Sequence, residues 1–415
     1  MTRTYNIDKK LIYNSWLDVK TNDGAHGIDK LTIEELGKDY KNHLYRLWNR
    51  MSSGSYNASP VRKVEIPKGD GKKRTLGIPT VLDRVAQRAA VKTIEGKLDA
   101  EFHEDSYGYR PKRSAHQAID KARSRCFSHP WVVDLDIQGF FDSIPHDQLM
   151  EIVERRIEEK WIKLYIERWL KAAMQDAQGN VTKREQGTPQ GGVISPLLAN
   201  MYLDEVFDWW ITREYPGVRF ERYADDIIIH CNSHTESLKI MEAIRARMAE
   251  YGLTLHPDKT KIVYCKCKGR KENYPEVTFT FLGYEWKPRK AKDRNGISFL
   301  AFTPAISTKA KQKIRDKIKL WGIKHKIHME LEDIAKGINA ILQGWKTYYG
   351  RFRKSEFDAT LKYLDKQLMK WIRKKYKLKK SDAKAWAKLE VIKQSTPKLF
   401  AHWSASTGTT TRRAV

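Results

Sequence analysis

The chain runs to 415 residues, 40% of them hydrophobic, which is long enough for more than one domain and apolar enough to exclude a disordered polymer. Lys and Arg number 78 against 51 Asp and Glu, a formal charge of +27 that points to a polyanionic partner. No apolar run reaches the roughly 18 residues of a membrane span, no signal-peptide core follows Met1, and four scattered cysteines exclude a disulfide framework or a four-ligand zinc site, so a reducing, cytoplasmic setting with nucleic acid and no membrane is expected.

Residues 1–60 read as helical, interrupted by the glycine-rich turn Asp23-Gly24-Ala25-His26-Gly27. A hairpin is predicted over 61–76, with Val64-Glu65-Ile66-Pro67 and Arg74-Thr75-Leu76 as arms and Lys68-Gly69-Asp70-Gly71-Lys72 as loop. An amphipathic helix follows over 82–98. Residues 131–137 alternate with period two, so Asp134 and Asp136 share one strand face while Val133, Leu135 and Ile137 share the other. Helices are predicted over 146–173 and 195–210, the second entered through Pro196. A helix over 235–251 leads to strands around 253–263 and 278–286, and three basic amphipathic helices are predicted over 309–321, 331–349 and 357–376.

Two segments rich in β-branched and aromatic residues flank Tyr223-Ala224-Asp225-Asp226, which therefore reads as the turn of a hairpin. An ordinary acidic turn is one reading, since aspartate favours turns. The other is a metal site, because adjacent carboxylates in an apolar setting are pushed toward protonation unless a cation holds them ionised. Asp134 and Asp136 taken alone could be edge-strand acids facing water. Together with the hairpin they supply carboxylates from two strands, the donor set for a pair of ions roughly 3.5–4 Å apart that assists in-line phosphoryl displacement.

Charge is concentrated toward the end of the chain. From Ala301 to Val415 there are 28 Lys and Arg against 9 Asp and Glu, a net +19. Interleaved rings such as Trp321, Trp345, Tyr348, Tyr349 and Trp371 suit base stacking, although their helical spacing assigns more than half of them to core packing.

The motifs stand in the order used by reverse transcriptases. The segment from Asp134 to Asp142 resembles their first palm motif, that from Gln186 to Asn200 the second, and Tyr223-Ala224-Asp225-Asp226 the third. Leu255-His256-Pro257-Asp258-Lys259-Thr260-Lys261 resembles the fourth, and Phe281-Leu282-Gly283-Tyr284 the primer grip. A narrower resemblance, to the reverse transcriptase–maturases of bacterial group II introns, rests on four further segments. These are Asp23-Gly24-Ala25-His26-Gly27-Ile28-Asp29, Arg74-Thr75-Leu76-Gly77-Ile78-Pro79-Thr80, Ser106-Tyr107-Gly108-Tyr109-Arg110-Pro111, and Ile338-Asn339-Ala340-Ile341-Leu342-Gln343-Gly344-Trp345. The resemblance covers nearly the whole chain.

What the resemblance implies is an α+β, right-hand polymerase fold: fingers and palm built of a mixed antiparallel sheet plus helices, and an α-helical thumb. It implies an N-terminal extension and fingers, with part of the palm, in residues 1–125, a palm with interleaved fingers segment in 126–300, a thumb or maturase domain in 301–380, and a short basic DNA-binding-like tail in 381–415. No nuclease-like His/Cys cluster follows the tail, so a member without the endonuclease module is expected, drawing its primer from a source such as a nascent strand at a replication fork.

The implied activity is RNA-directed DNA synthesis with deoxynucleoside triphosphates on two Mg²⁺ ions, Mn²⁺ being able to substitute. The resemblance makes Asp136, Asp225, Asp226 and Lys259 catalytic, and the metal ligands Asp136, Asp225, Asp226 and the backbone of Ile137. Lys259 would protonate the leaving pyrophosphate, with Lys261 as a competing choice. Lys68, Arg74, Phe141, Gln190 and Ile137 would meet the incoming nucleotide, Phe141 as the ring that excludes a 2′-hydroxyl. Arg110, Gly191, Gly192, Tyr223, Lys374, Lys375, Lys379 and Lys380 would meet nucleic acid. Expected partners are structured group II intron RNA, an RNA template with DNA primer, and target DNA, in a bacterial, nucleoid-associated setting. A stand-alone reverse transcriptase of DNA repair or phage defence and a non-catalytic RNA-binding splicing factor are the alternatives.

Overall fold

The computed structural model describes residues 4–67, 73–293, 295–378 and 381–403, and the chain divides into two compact units, one ending at Val263 and one beginning at Tyr264. None of the described helices is long and apolar enough to cross a membrane.

The first unit opens with α1 (Lys9–Thr21), α2 (Ile33–Lys38) and α3 (Tyr40–Ser52). A capping box starts α2: Thr32 accepts from the Glu35 amide, and the Glu35 carboxylate accepts from the Thr32 amide. Strands β1 (Val61–Pro67) and β2 (Lys73–Ile78) form the predicted antiparallel hairpin. Next come α4 (Val81–Glu101), α5 (Ala115–Ser128), β3 (Trp131–Asp136), the short α6 (Phe140–Ser143), α7 (His146–Arg156) and α8 (Lys160–Lys171). The single helix expected over 146–173 is broken because Ile157 turns extended, at φ −113° and ψ 127°, to bury its side chain. The core contact there outweighs helical continuity.

Short strands β4 (Met174–Gln175) and β5 (Val181–Thr182) extend the hairpin into a sheet of order β2-β1-β4-β5. The helix predicted over 195–210 is α9 (Ser195–Leu203), interrupted by a π turn over Asp204–Asp208 and resumed as α10 (Trp209–Glu214). Such π turns occur mostly as single insertions within α-helices, often at functional sites. The second sheet takes β6 (Arg219–Tyr223), β7 (Asp226–Cys231) and β8 (Lys261–Tyr264) in the order β6-β7-β3-β8, with α11 (His234–Glu250) between β7 and β8. Of the strand expected over 253–263, only its end is β8; Leu255 makes an isolated bridge to Ile137. Val132, Val133, Leu135, Ile227, Ile228 and Ile229 are all buried, so β3 and β7 are covered on both faces, and the polar exceptions are Asp134 and Asp136 on β3 and Asp226 and His230 on β7.

The second unit holds a three-stranded antiparallel sheet of β9 (Phe279–Phe281), β10 (Tyr284–Lys292) and β11 (Ser298–Ile306). The strand expected over 278–286 is two strands, since Leu282 and Gly283 both adopt positive φ and reverse the chain. Helices α12 (Thr308–Leu320), α13 (Leu331–Tyr349) and α14 (Lys354–Lys375) are the three basic helices expected, joined by α15 (Asp382–Ser395) within the segment read as a tail. Their core gathers Ile314, Ile318, Ile334, Ile338, Leu342, Leu364, Leu368, Trp371 and Leu389. Trp345 stacks on Trp321 at 5.5 Å, and the Trp371 indole donates to Lys326 O at 2.8 Å. These rings therefore pack, as their helical spacing indicated.

Candidate active site

Strands β3 and β7 pair antiparallel with Asp136 directly opposite Asp226, and β6 and β7 pair with Tyr223 opposite Asp226. The turn between them is just Ala224 and Asp225, and Ala224 sits at φ 57°. A two-residue hairpin thus projects Asp225 from the strand ends, while the register brings a second acid, Asp136, to the same place. Like charges directly opposed across a strand pair repel, so this register calls for a cation.

One cation comes from the chain itself. Lys259 Nζ lies 3.0 Å from Asp136 Oδ2, carried there by the segment whose His256 amide donates to Asp136 O at 2.7 Å. A cavity of about 650 Å³ opens here and brings Asp136, Asp225 and Lys259 together with Arg74, Phe141 and Gln190. Ile137, Gly191 and Gly192 also line it. Phe141 is half-buried and meets Phe140 edge-on, with centroids 5.4 Å apart. The Gln190 amide is aimed by Asp142, to whose Oδ2 it donates at 3.1 Å. Asp226 is not on the cavity wall, and Tyr223 stands beside Tyr109 with ring centroids 6.4 Å apart.

The two strand acids sit in different surroundings. Burial pushes the Asp134 carboxyl up to about 7, opposed by Lys261 and assisted by Asp136. Asp134 thus pays for desolvation, whereas Asp136 lies at the cavity with Lys259. Burial raises the Tyr109 hydroxyl, and Asp225 and Tyr223 raise it further against the pull of Arg74.

The site fits a divalent metal ion. Two carboxylates, Asp136 and Asp225, at a polar cavity suit a small hard cation that completes its shell with water and substrate oxygens. Among the described residues no three His, Cys, Asp or Glu side chains form a metal cage of their own. Substrate oxygens would therefore be part of the coordination.

Several expected nucleic-acid contacts need correction. Arg110 is buried, paired with Asp99 at 2.6 Å and donating to the carbonyls of His103, Ser106 and Asp99, so it braces its own loop instead of facing a duplex. Lys375 is committed to Glu330 at 2.6 Å and Met329 O at 2.8 Å, leaving Lys374 as the exposed member of that pair. Gly191 has a structural reason for lacking a side chain: at φ 129° a Cβ would lie 2.8 Å from Gly77 O, on β2. A Cβ on Gly192 would lie 2.6 Å from Ser195 Oγ. Lys68, Lys379, Lys380 and the stretch 404–415, with its final arginines, lie outside the described residues. Sequence motifs alone do not bring out Tyr109, in the segment Ser106–Pro111; it lines the cavity, is 57% exposed and holds φ 54°.

The profile of the reverse transcriptase (RNA-dependent DNA polymerase) family matches residues 66–286, and that of the group II intron maturase-specific domain matches residues 311–390. Protein YkfC of Escherichia coli is 33% identical over 58% of this chain and 73% of its own length. The group II intron-encoded protein LtrA of Lactococcus lactis subsp. cremoris is 33% identical over 49% of this chain and 34% of its own, so the chain spans about a third of that relative. A 91 kDa protein of the cob intron of Schizosaccharomyces pombe is 25% identical over 62% of this chain and 38% of its own. With paired carboxylates on the palm strands and a maturase-specific domain downstream, the chain belongs to the reverse transcriptase family of RNA-dependent DNA polymerases, in its group II intron reverse transcriptase–maturase form.

Proposed function

We propose that the chain extends a primer 3′-hydroxyl along an RNA template with deoxynucleoside triphosphates, and that it also binds group II intron RNA to assist splicing and mobility. The carrying observation is the convergence of Asp136 and Asp225 on the cavity that Arg74, Phe141, Gln190 and Lys259 share. Asp136, Asp225 and the Ile137 carbonyl would hold Mg²⁺, two ions in the working site and replaceable by Mn²⁺, with Asp226 supporting them from its place opposite Asp136. The bound metal supplies charge neutralisation at the phosphoryl oxygens and activation of the attacking hydroxyl.

The remaining chemistry belongs to the side chains. Arg74, with Lys68, neutralises the triphosphate and orients it. Phe141 fills the space a 2′-hydroxyl would need. Gln190, braced by Asp142, supports the nascent base pair. Lys259 shares its charge with Asp136 and delivers a proton to the leaving pyrophosphate. Helices α12–α14 act as a thumb, with exposed Lys374 meeting phosphate on template–primer, intron RNA or target DNA.

Asp225→Ala tests this reading. Primer extension should vanish while RNA binding survives, and full polymerase activity would overturn the metal assignment. Splicing of intron RNA by the same preparation tests the maturase half.

A further inference from the structure

Arg222, one residue before Tyr223, is fully buried, and its guanidinium is engaged along its whole edge. Nε and Nη2 donate to the two Asp208 carboxylate oxygens at 2.7 and 2.5 Å, a bidentate fork. Nη1 donates to Asn200 Oδ1 at 2.9 Å and to Ala224 O at 3.3 Å. The Asn200 amide continues the chain of contacts to Gly108 O at 2.7 Å.

The backbone is clamped at the same place. The Arg222 amide donates to Asp105 O at 2.9 Å, and Arg222 O accepts from the Tyr107 amide at 2.8 Å. Gly108 lies so close to the turn that a Cβ there would stand 2.4 Å from Ala224 N. Asp208 itself is the last residue of the π turn that interrupts the helix.

These contacts meet at a strained residue. Ala224 holds φ 57°, a region that residues other than glycine seldom occupy and that persists only where surrounding contacts over-determine it. A second, partly buried pair starts on the same π turn, Arg156 with Asp204 at 2.8 Å, and the Arg156 guanidinium turns from there to Glu101 at 3.0 Å. An ion pair on this turn therefore does not by itself require the reach to the Ala224 carbonyl.

We infer that Asp208, Arg222 and Asn200 form a positioning network that holds Ala224 in its left-handed conformation and so fixes the direction in which Asp225 presents its carboxylate. The inference rests on Asp225 being a metal ligand. Arg222→Lys keeps the charge and loses the fork, and Asn200→Ala leaves the fork intact and removes the link to Gly108. Asp83→Asn, a buried carboxylate held by Thr80 and Tyr56 away from the turn, controls for loss of stability.

The full-length protein is assayed for hydrogen exchange at residues 224–226 without metal, and for primer extension during Mg²⁺ titration. At matched thermal stability, Arg222→Lys and Asn200→Ala should exchange the turn amides about tenfold faster than the Asp83→Asn control, raise half-saturating Mg²⁺, and lower kcat roughly 10–100-fold with little change in the nucleotide KM. Exchange and Mg²⁺ dependence indistinguishable from the control would overturn the network. Should Arg222→Lys fail to fold, Asn200→Ala carries the same readouts. If Asp225→Ala retained polymerase activity, the metal assignment would fall, while the exchange measurement would still decide whether the network holds the turn.

Discussion

Lys259 Nζ and Asp136 Oδ2 stand 3.0 Å apart, so the proposed proton donor and the proposed strand ligand are in contact. Each role affects the other. A lysine held on this carboxylate competes with a divalent ion for the same oxygen, and half-exposed charges of this kind exchange partners at small cost.

Lys259→Ala should therefore have two opposite effects. The catalytic rate should fall by roughly 10²-fold or more, the usual loss for a general acid. Half-saturating Mg²⁺ should fall as well, because Asp136 is released from its competitor. A metal titration of primer extension reads both; a rise in the Mg²⁺ requirement would show that Lys259 helps build the site and does not compete for it.

Tyr109 offers a second test. Its ring is exposed at the cavity beside Tyr223, on a backbone at φ 54°. Tyr109→Gly keeps that backbone conformation accessible and removes the side chain with its ring. If the ring stacks on a base, template–primer affinity should weaken by about 1–3 kcal/mol, measurable by fluorescence titration. Unchanged affinity would leave Tyr109 as a wall residue only.

Much of this site was legible because it depends on local pattern. Period-two alternation places Asp134 and Asp136 on one face, and the paired acids between apolar runs mark the hairpin whose second strand pairs with β3 so that Asp226 opposes Asp136. What distinguishes Asp136 from Asp134 was not local: it depends on Lys259 arriving from a distant segment and on the burial of Asp134. Arg110 misled for the same reason. A cation reads as a phosphate contact until its partners are known, and Asp99 with three carbonyls became visible only in three dimensions. The break at Ile157 has no glycine or proline to announce it.

Gly191→Ala probes the joint between the fingers hairpin and the second motif. The Gly77 amide donates to Gln190 O at 3.0 Å, and a methyl at Gly191 would press on Gly77 O from 2.8 Å while straining the backbone at φ 129°. The substitution should cost about 1–3 kcal/mol of stability. Since Gln190 and Arg74 lie on either side of this joint, the nucleotide KM should rise more than kcat falls. A calorimetric melt and steady-state kinetics check the two parts.

Asp365 makes the acid stability of the second unit predictable. Burial alone would raise its carboxyl, but hydrogen bonds from the His402 ring at 2.9 Å, the Trp403 indole at 3.0 Å and Lys393 at 3.0 Å outweigh it and hold the group below its ordinary value. A carboxyl depressed in the folded state contributes stability that is fully present above its unfolded value of 3.8 and is lost as pH falls through the lower folded value. Melts of the full-length protein should thus show the transition of this unit moving to lower temperature as pH drops below about 4. Asp365→Asn should lower the melting temperature at neutral pH, since the partly buried Lys393, His402 and Trp403 contacts lose the carboxylate they hold, and should flatten the acid dependence. A variant that melts like the wild type at neutral pH and keeps the same acid slope would remove Asp365 from the account, and the sensitivity would then have to be sought at Glu356, whose carboxyl is likewise lowered by Lys311 and Arg289 against its burial.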